Sequence, residues 1–207
     1  MAARRPQTRR EQRRAELESQ LLEAAENLMR DGATFTELTV DQLSGEAGIV
    51  RATFYKYFED KGHLLRQLAR QVFGELAEDA EHWWQASERR DPRDLQTALG
   101  RIIATYRRHQ VVIGALNEMA AYDPRVAATY RDLITAITAR LADVIRRGQA
   151  HGTIRTQISP QATASSLTWM VERACHQNLP NQAPHFDDEL NASLTQIIWA
   201  ALYLEAV

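Results

Sequence analysis

The sequence predicts an all-α protein of about nine helices, and three observations support that fold class. Apolar residues recur at the spacing of amphipathic helices over nearly the whole chain, and no segment shows the alternation of a half-buried strand. Polar caps followed by proline or by a capping-box partner stand at the start of four of these segments. Cys175 is the single cysteine among 207 residues, which excludes an internal disulfide or a multi-cysteine metal site.

Charge and hydropathy narrow the class of protein. The formal net charge of -2 is near zero, so gross charge alone does not indicate a nucleic-acid partner. Basic residues nevertheless concentrate in residues 1–14, which contain six arginines and one glutamate. No apolar run reaches the ~20 residues of a membrane span, and the first residues lack the apolar region of a signal peptide. We therefore expect a cytoplasmic protein without a membrane segment.

Residues 1–15 predict a flexible Arg-rich arm because they contain a proline and show no apolar periodicity. Two interpretations stay open for this arm: a tail without a role, or a segment that adds phosphate or minor-groove contacts beside a DNA-binding unit. The first helix is expected from about Glu16 to Arg30, with its leucines and alanines facing inward. The pair Asp31-Gly32 would end it.

The stretch from Thr39 to Leu65 predicts two short helices and the start of a long one. Thr39 opens a Thr-x-x-Gln capping box, so the first helix should begin at the next residue. Gly48 would end that helix, and a second helix is expected over residues 51–58, with its two phenylalanines in the core. Two helices joined by a glycine-containing turn form the helix-turn-helix geometry, whose second helix fits the DNA major groove.

The second short helix carries side chains that could reach DNA, although a solvated polar face of a small helical hairpin is the plainer interpretation. Arg51 and Lys56 suit the O6 and N7 atoms of guanine, and the other polar groups would mostly fix phosphates. Lys61 lies in the first turn of the next helix, which Asp60 caps. A cation there opposes the helix dipole, so a phosphate partner would explain it. The predicted DNA contacts are Thr39, Arg51, Ala52, Thr53, Tyr55, Lys56, Tyr57 and Lys61.

This stretch resembles the N-terminal domain of the TetR family of transcriptional regulators. The family pattern is a Thr-Val start, an Ala-Gly-Val/Ile turn and a Thr-Phe/Leu-Tyr-x-Tyr-Phe recognition helix followed by lysine. Val50 departs from it, because the family often has a small polar N-cap there that can cap the helix or contact a phosphate. With the preceding helix, the resemblance covers about the first third of the chain. The matching positions are Thr39, Val40, Ala47, Gly48, Ile49, Thr53, Phe54, Tyr55, Tyr57, Phe58 and Lys61.

The rest of the chain predicts six more helices without a flexible linker. A long helix should run from Lys61 to about Gln85, and a shorter one over residues 110–121. Proline after a polar cap predicts three further starts, at Asp91-Pro92, Asp123-Pro124 and Ser159-Pro160. After a loop at residues 179–186, Asp187 is expected to cap the last helix. The predicted organisation is an arm (1–15), a DNA-binding domain (16–60) and a C-terminal ligand-binding and dimerisation bundle (61–207).

No enzyme activity, cofactor or metal is expected. The sequence lacks a Gly-rich phosphate loop, a His-Glu-x-x-His pair and a Ser or Cys nucleophile signature. Its six histidines are scattered without the spacing of metal ligands. His185 lies near the carboxylates of residues 187–189, but an acidic first turn of a helix explains those carboxylates better than a metal site does.

The last two predicted helices carry more apolar surface than one buried face needs. This surplus either packs within the monomer or meets a symmetric copy in a four-helix interface. Two DNA-binding heads about 34–36 Å apart would read successive major-groove faces, and TetR-like proteins dimerise through their last two helices. The resemblance therefore implies a homodimer. The apolar positions are Leu167, Met170, Val171, Ala174, Leu194, Ile197, Ile198, Ala201, Leu202 and Leu204.

Aromatic residues and methionines of the bundle could be ordinary core or could line an apolar cavity. The C-terminal region is similar to the ethionamide-resistance-regulator branch of the family, through the run 170–173 and the segment 197–199. In that branch a long apolar channel binds the ligand. Val171 replaces an asparagine that hydrogen-bonds the ligand there, and Leu95 replaces an aromatic residue, which implies a different ligand. The implied lining is Leu95, Leu99, Ile102, Tyr106, Tyr130, Ile134, Ile137, Thr168, Val171 and Trp199.

The sequence thus predicts a ligand-responsive transcriptional regulator. A dimer would bind a pseudo-palindromic operator in double-stranded DNA, and an apolar small-molecule effector would release it by shifting the long helix. We expect a repressor, with an activator of the same family as the alternative. A cytoplasmic helical carrier or enzyme, with an accidental helix-turn-helix resemblance, is a third interpretation. Salt-dependent operator binding would separate that one from the others.

Overall fold

The computed structural model describes residues 9–30, 32–86 and 90–203, and this part of the chain is all-α, as predicted. A short 3-10 turn at Leu179–Asn181 lies between the last two helices. None of the described helices is long and apolar enough to span a bilayer. The nine α-helices of the described residues are α1 (Arg9–Arg30), α2 (Val40–Glu46), α3 (Arg51–Tyr57), α4 (Lys61–Ala86), α5 (Pro92–Arg108), α6 (Gln110–Ala120), α7 (Pro124–Ala150), α8 (Pro160–Asn178) and α9 (Phe186–Tyr203).

The first helix begins at Arg9 rather than near Glu16, so residues 9–15 of the predicted arm are helical. Arg13 pairs with Glu16 at 3.2 Å, and Arg14 pairs with Glu18 at 2.9 Å. Ion pairs at these spacings stabilise a helix by about 0.2–0.5 kcal/mol each, and they extend it into the basic segment. Residues 1–8, the rest of the predicted arm, lie outside the described residues.

The predicted helix-turn-helix is present. The Thr39 hydroxyl accepts a hydrogen bond from the backbone N–H of Gln42 at 3.2 Å, and the Gln42 side chain accepts one from the Thr39 N–H at 2.8 Å. This complete capping box starts α2 where the sequence indicates. Gly48 ends the turn with a φ of 66°, a conformation that a residue with a side chain would adopt only with strain.

Three helices of the bundle begin at the predicted polar cap and proline. Asp91 accepts a hydrogen bond from the N–H of Arg93 at 2.9 Å, and Asp123 accepts one from the N–H of Arg125 at 2.8 Å. Ser159 caps α8 in the same way. Each proline stands at a position where the helix needs no N–H donor, so cap and proline together fix the start of the helix.

The cap predicted for the last helix is wrong. α9 begins at Phe186, and Asp187 lies in its first turn. The Asp187 carboxylate instead accepts two hydrogen bonds from Arg107 of α5, at 2.5 and 2.8 Å. Arg107 also donates to the backbone carbonyl of Leu179 at 2.9 Å. This clamp, a two-bond, charge-assisted contact, ties the connection between α8 and α9 to α5.

α4 is the central helix of the molecule. It packs against α5, α6 and α7, while α5 also packs against α9 and α7 packs against α8. The buried side chains of the head and of the bundle form one continuous apolar core around α4. With 26 residues at about 1.5 Å each, α4 spans roughly 39 Å from the head into the bundle. The two parts are therefore joined by a helix and by shared packing.

Candidate DNA-binding surface and ligand cavity

The apolar side of α3 anchors this helix in the head. Phe54 and Phe58 are fully buried, and their ring centroids lie 5.3 Å apart. Val50, at the N-cap, makes no side-chain capping bond, as its departure from the family pattern predicts. Its backbone carbonyl accepts a hydrogen bond from the N–H of Thr53 at 2.8 Å. Packing of the phenylalanines, and not a side-chain cap, fixes the orientation of α3.

The opposite side of α3 presents most of the predicted DNA contacts to solvent. Arg51, Ala52, Tyr55 and Lys56 are exposed, and Thr53 and Tyr57 are half-buried beside them. Thr39, at the start of α2, is exposed as well. Guanidinium, ammonium and phenol groups on one helix face can serve both phosphates and base edges. Contact with DNA at these positions stays a prediction.

Arg51 is oriented by neighbours on both short helices. Its Nη1 lies 2.8 Å from Oδ2 of Asp41, and its guanidinium carbon lies 5.5 Å from the centroid of the Tyr55 ring. Both partners of the ion pair are exposed, and such pairs contribute about 0–1 kcal/mol to stability. Arg51 can therefore exchange the Asp41 carboxylate for a base edge at small cost.

Lys61 has partners inside the protein. Its Nζ donates to the backbone carbonyls of Thr36 at 2.8 Å, of Phe35 at 3.3 Å and of Leu38. These bonds use all three donors of the ammonium, and burial lowers the pKa of Lys61. They explain why a cation stands in the first turn of α4, which the sequence alone assigned to a phosphate. A DNA phosphate at Lys61 would have to compete with three carbonyls.

Polar side chains join the head to the bundle. His109, between α5 and α6, contacts Glu26 of α1 through Nδ1 at 2.5 Å and Glu75 of α4 through Nε2 at 3.1 Å. Arg125 of α7 donates to Asp60, the residue before α4, at 3.0 Å. These contacts couple the position of α1 and of the start of α4 to the bundle.

An apolar cavity of about 100 Å³ lies between α4, α5, α7, α8 and α9. This volume exceeds the roughly 10–15 Å³ that one water needs on the same measure. Hydrocarbon and aromatic side chains make up nearly all of its wall, as in sites for apolar small molecules. The lining is Phe73, Leu76, Ala80, Trp83, Trp84, Leu95, Ala98, Leu99, Ile102, Tyr106, Ile134, Ile137, Leu141, Leu167, Thr168, Val171, Glu172 and Ile198.

Eight of the ten predicted lining residues lie on this cavity, and two do not. Tyr130 donates its hydroxyl proton to Glu172 at 2.7 Å, and its ring packs edge-on against Phe73 and Trp169. Trp199 stacks on Tyr203, with ring centroids 4.2 Å apart. Neither of these two side chains belongs to the cavity lining. Contact of the ten predicted residues with a ligand stays a prediction.

The sequence interpretation missed the wall that α4 provides. Phe73, Leu76, Ala80, Trp83 and Trp84 all line the cavity, and none of them was predicted there. Adjacent tryptophans at the end of a long helix were the available signal, because one amphipathic face cannot bury both without a neighbour on each side. The same helix thus forms part of the cavity and begins in the head.

The predicted apolar surplus on α8 and α9 is partly used within the monomer. Leu167, Leu194, Ile198 and Leu202 are buried in the chain itself, most of them against α5 and α7. Of the remaining large apolar side chains in the described part of these helices, Trp169 is 39% exposed and Ile197 is 50% exposed. These two side chains leave apolar area at the surface of α8 and of α9.

Neither a metal centre nor a reactive thiol emerges from the described residues. No group of three or more His, Cys, Asp or Glu among them is placed to hold a metal ion. Cys175 is buried, and burial together with the nearby charge of Glu172 raises its pKa to about 12. A thiol of that pKa is protonated near neutral pH and is a poor nucleophile.

Two family patterns match the chain. Residues 21–68 match the bacterial regulatory proteins of the tetR family. Residues 95–204, more than half of the chain, match the C-terminal domain of the transcriptional regulator EthR. The first match spans the helix-turn-helix, and the second contains most of the cavity wall.

Full-length relatives agree with both matches. The HTH-type transcriptional regulator EthR of Mycolicibacterium smegmatis is 28% identical over 191 residues, which cover 90% of this chain and 86% of that protein. EthR of Mycobacterium tuberculosis is 27% identical over 176 residues, which cover 79% and 76%. These relatives are transcriptional regulators and not enzymes.

Solved structures share the fold. The regulator FadR of Bacillus subtilis, solved in complex with stearoyl-CoA, has a TM-score of 0.71 at 13% identity and covers 89% of this chain and 99% of its own. The TetR-family regulator PfmR of Thermus thermophilus has a TM-score of 0.67 at 17% identity and covers 90% and 99%. At such identities the likeness establishes the all-α fold alone.

Proposed function

The chain belongs to the TetR family of bacterial regulatory proteins, and on that premise we propose that it is a repressor released from its operator by an apolar small molecule. It is a transcriptional regulator with an N-terminal DNA-binding domain and a C-terminal ligand-binding domain. The observation that carries the proposal is the course of α4. This helix begins next to the recognition helix and ends in the cavity wall.

The proposed DNA contact uses the exposed side of α3 in the major groove. Arg51 and Lys56 provide the donors for base edges, while Tyr55 and the half-buried Thr53 and Tyr57 provide groups for phosphates. The anchored phenylalanines on the other side keep α3 rigid, so these side chains are presented together.

We propose that the protein binds its operator as a homodimer, whose interface is formed by α8 and α9. One helix-turn-helix makes few base contacts, whereas two heads on a two-fold axis read both halves of a pseudo-palindrome. Trp169 and Ile197 supply exposed apolar area on the two helices that would meet a second copy. Such an interface would also set the distance between the two recognition helices.

In this proposal, DNA is released through α4, the helix that begins at the head and forms part of the cavity wall. A ligand that enters the cavity touches Trp83, Trp84 and Phe73, all on α4, and can displace that helix relative to α1 and α7. The start of α4 holds the loop before α2 through Lys61, so a displacement reaches the head. The ligand releases DNA only to the extent that it binds the displaced conformation more tightly than the DNA-bound one.

Fluorescence anisotropy with the purified protein tests the proposal. The probe is DNA from the region upstream of the protein's own gene, compared with scrambled DNA at two salt concentrations. We expect tight, salt-dependent binding to the upstream fragment and at least about a hundredfold weaker binding to the scrambled one. Equal and weak binding to both, followed by the same result with other intergenic fragments, would contradict a sequence-specific regulator.

A reporter assay tests the sign of regulation. The operator is placed before a reporter gene with and without the protein. Repression predicts higher expression when the protein is absent, whereas the opposite change would make the protein an activator. The variant Lys56→Ala should abolish either effect, while Tyr122→Ala, an exposed residue between α6 and α7, should keep it.

A further inference from the structure

Glu172 is a buried carboxylate on the wall of an otherwise apolar cavity. It lies on α8, is 6% exposed, and contributes to the lining together with the hydrocarbon groups around it. Burying an ionised carboxylate in apolar surroundings costs several kcal/mol unless hydrogen bonds or an opposite charge compensate it. The contacts of its two oxygens therefore decide what the cavity can hold.

Within residues 9–30, 32–86 and 90–203, one of the two oxygens is hydrogen-bonded. Oε1 accepts the hydroxyl proton of Tyr130 at 2.7 Å. No described residue donates a hydrogen bond to Oε2, and its nearest cation among them is Nε of Arg173 at 3.6 Å, a side chain that is half exposed. That ion pair lies beyond hydrogen-bond distance and is partly screened by solvent. Oε2 keeps a free acceptor position inside the protein.

Two further buried oxygens of the same wall lack partners. The hydroxyls of Tyr106, on α5, and of Thr168, on α8, find no hydrogen-bond partner in the part of the chain that the structure describes, and both residues are at least nine-tenths buried. Thr168 and Glu172 stand four positions apart on one helix face. Burial, reinforced by the charge of Glu172, raises the pKa of Tyr106, which stays a neutral phenol. Three residues of the cavity wall thus carry buried oxygens without a hydrogen-bond partner among the described residues, behind a cavity surface that is almost entirely apolar.

We infer that the cavity takes an apolar molecule ending in a protonated amine, with the ammonium on Glu172, Thr168 and Tyr106. The inference rests on the proposed function of the cavity as the effector site. An ammonium has three donors and no acceptor, which matches three oxygens that can all accept. Its positive charge compensates the buried carboxylate, and its hydrocarbon part fills the apolar remainder.

Other end groups fit the three oxygens less well. A ligand carboxylate would place a second negative charge beside Glu172 in a medium of low dielectric constant, where like charges repel strongly. An alcohol can donate only one proton and leaves the buried charge without an opposite one. A water molecule could bridge the three oxygens, but it would not compensate the charge either.

Matched octyl ligands test the inference on the purified full-length protein without DNA. Octylamine, octan-1-ol and octanoate share one tail and differ in the end group. At about pH 7 the amine is protonated and the acid is ionised. We expect octylamine to bind at least about tenfold more tightly than octan-1-ol, with octanoate the weakest. Quenching of the fluorescence of Trp83 and Trp84, checked by calorimetry, reports binding.

Variants locate the preference at Glu172. Glu172→Gln keeps the shape and the acceptor for Tyr130, and it should bring octylamine to within about threefold of octan-1-ol while leaving the alcohol unchanged. Thr168→Val should weaken octylamine about fivefold without removing the preference. Glu78→Gln, an exposed carboxylate on α4, is the matched control and should behave as the wild type.

Three results would overturn the inference. They are equal binding of amine and alcohol to the wild type, an amine preference that survives Glu172→Gln, and no binding of any of the three ligands. A failure of the proposed function looks different, because octylamine would then bind with the expected preference and yet leave the operator complex intact. Conversely, release of DNA by octan-1-ol alone would support the regulator and contradict the amine.

Discussion

Nδ1 of His109 lies 2.5 Å from a carboxylate oxygen of Glu26, across the boundary between bundle and head. The other ring nitrogen lies 3.1 Å from Glu75 on α4, and the histidine is only 5% exposed. Ionised carboxylates only accept hydrogen bonds, so an imidazolium that donates from both nitrogens satisfies the two partners. One charged group thereby holds α1, α4 and the corner between α5 and α6 together.

Stability should decrease as the pH rises through the pKa of His109. Burial lowers that pKa, but the hydrogen bonds and charges of Glu26 and then of Glu75 outweigh burial, so the net shift is upward. A folded pKa above the unfolded value of about 6.5 means that the contribution is complete below that pH. It is lost as the pH rises through the folded value. Thermal unfolding between about pH 5 and pH 9 measures this loss.

The variant His109→Gln should remove this part of the pH dependence and lower the melting temperature most at acidic pH. His63→Gln is the control, because burial lowers the pKa of His63 and its contribution has the opposite sign. Parallel pH profiles for the wild type and for His109→Gln would contradict a charged histidine between the two carboxylates.

Lys61→Met should destabilise the head, because three backbone carbonyls of the loop before α2 lose their donor. We expect a loss of about 1–3 kcal/mol in the free energy of unfolding, measured by urea denaturation. Because the ammonium is already used by these carbonyls, the folded variant should lose affinity only through the displaced loop before α2, and equally for operator and scrambled DNA. Lys56→Met, an exposed control, should leave stability unchanged. A change of sequence preference in Lys61→Met would place that ammonium at a base edge instead.

Arg51→Ala should weaken operator binding by about 1–3 kcal/mol and relax the preference at one base position in each half-site. Competition between operator variants, each with a single substituted base pair, identifies the position. Asp41→Asn removes the partner of Arg51 but leaves the guanidinium, so this control should keep the preference and change stability by less than about 0.5 kcal/mol. A uniform loss over all competitors would assign Arg51 to phosphate.

Gly148→Ala should destabilise the bundle although Gly148 lies within a helix. A Cβ at this position would stand 2.6 Å from side-chain carbons of Ile154, which are buried and cannot move away freely. Overpacking of this kind costs about 1–3 kcal/mol. Gly114→Ala in α6, where a Cβ meets nothing within 4 Å, is the matched control and should stabilise by about 0.5–1 kcal/mol. Equal effects in denaturant melts would contradict the close approach of Ile154.

Ile197→Asp should dissociate the proposed dimer, because it places a charge in the exposed apolar area of α9. Sedimentation equilibrium should show a monomer or at least about a tenfold weaker association. Tyr122→Asp changes a residue that is 82% exposed between α6 and α7, and it should leave the association state as in the wild type. An unaltered dimer for Ile197→Asp would move the interface away from α9.

Local signals predicted where most helices begin. The capping box at Thr39 and the caps at Asp91 and Asp123 act through atoms within three residues, so their sequence pattern contains the whole interaction. The extension of α1 to Arg9 was missed because an arginine cluster indicates a solvated tail as readily as a helix with internal ion pairs.

Contacts between distant residues could not be predicted in the same way. The carboxylate of Asp187 binds Arg107 across 80 positions, and Lys61 finds its carbonyls 23 to 26 positions away. Neither pairing can be read from the spacing of neighbouring residues in the sequence. The cavity wall on α4 depends on how that helix crosses α5 and α7. This crossing determines which side of the buried Trp83 and Trp84 side chains borders the cavity.

The clamp between Arg107 and Asp187 can form only late in synthesis of the chain, because its two residues are far apart in the sequence. The helix-turn-helix and α4 leave the ribosome first, whereas the 80 positions that separate the two clamp residues take roughly 4–16 s at about 5–20 residues per second. During that interval the side of the cavity that α9 covers is open, and the proposed surface for a second subunit is incomplete. The residues of the head are therefore available to fold before the cavity is closed by α9.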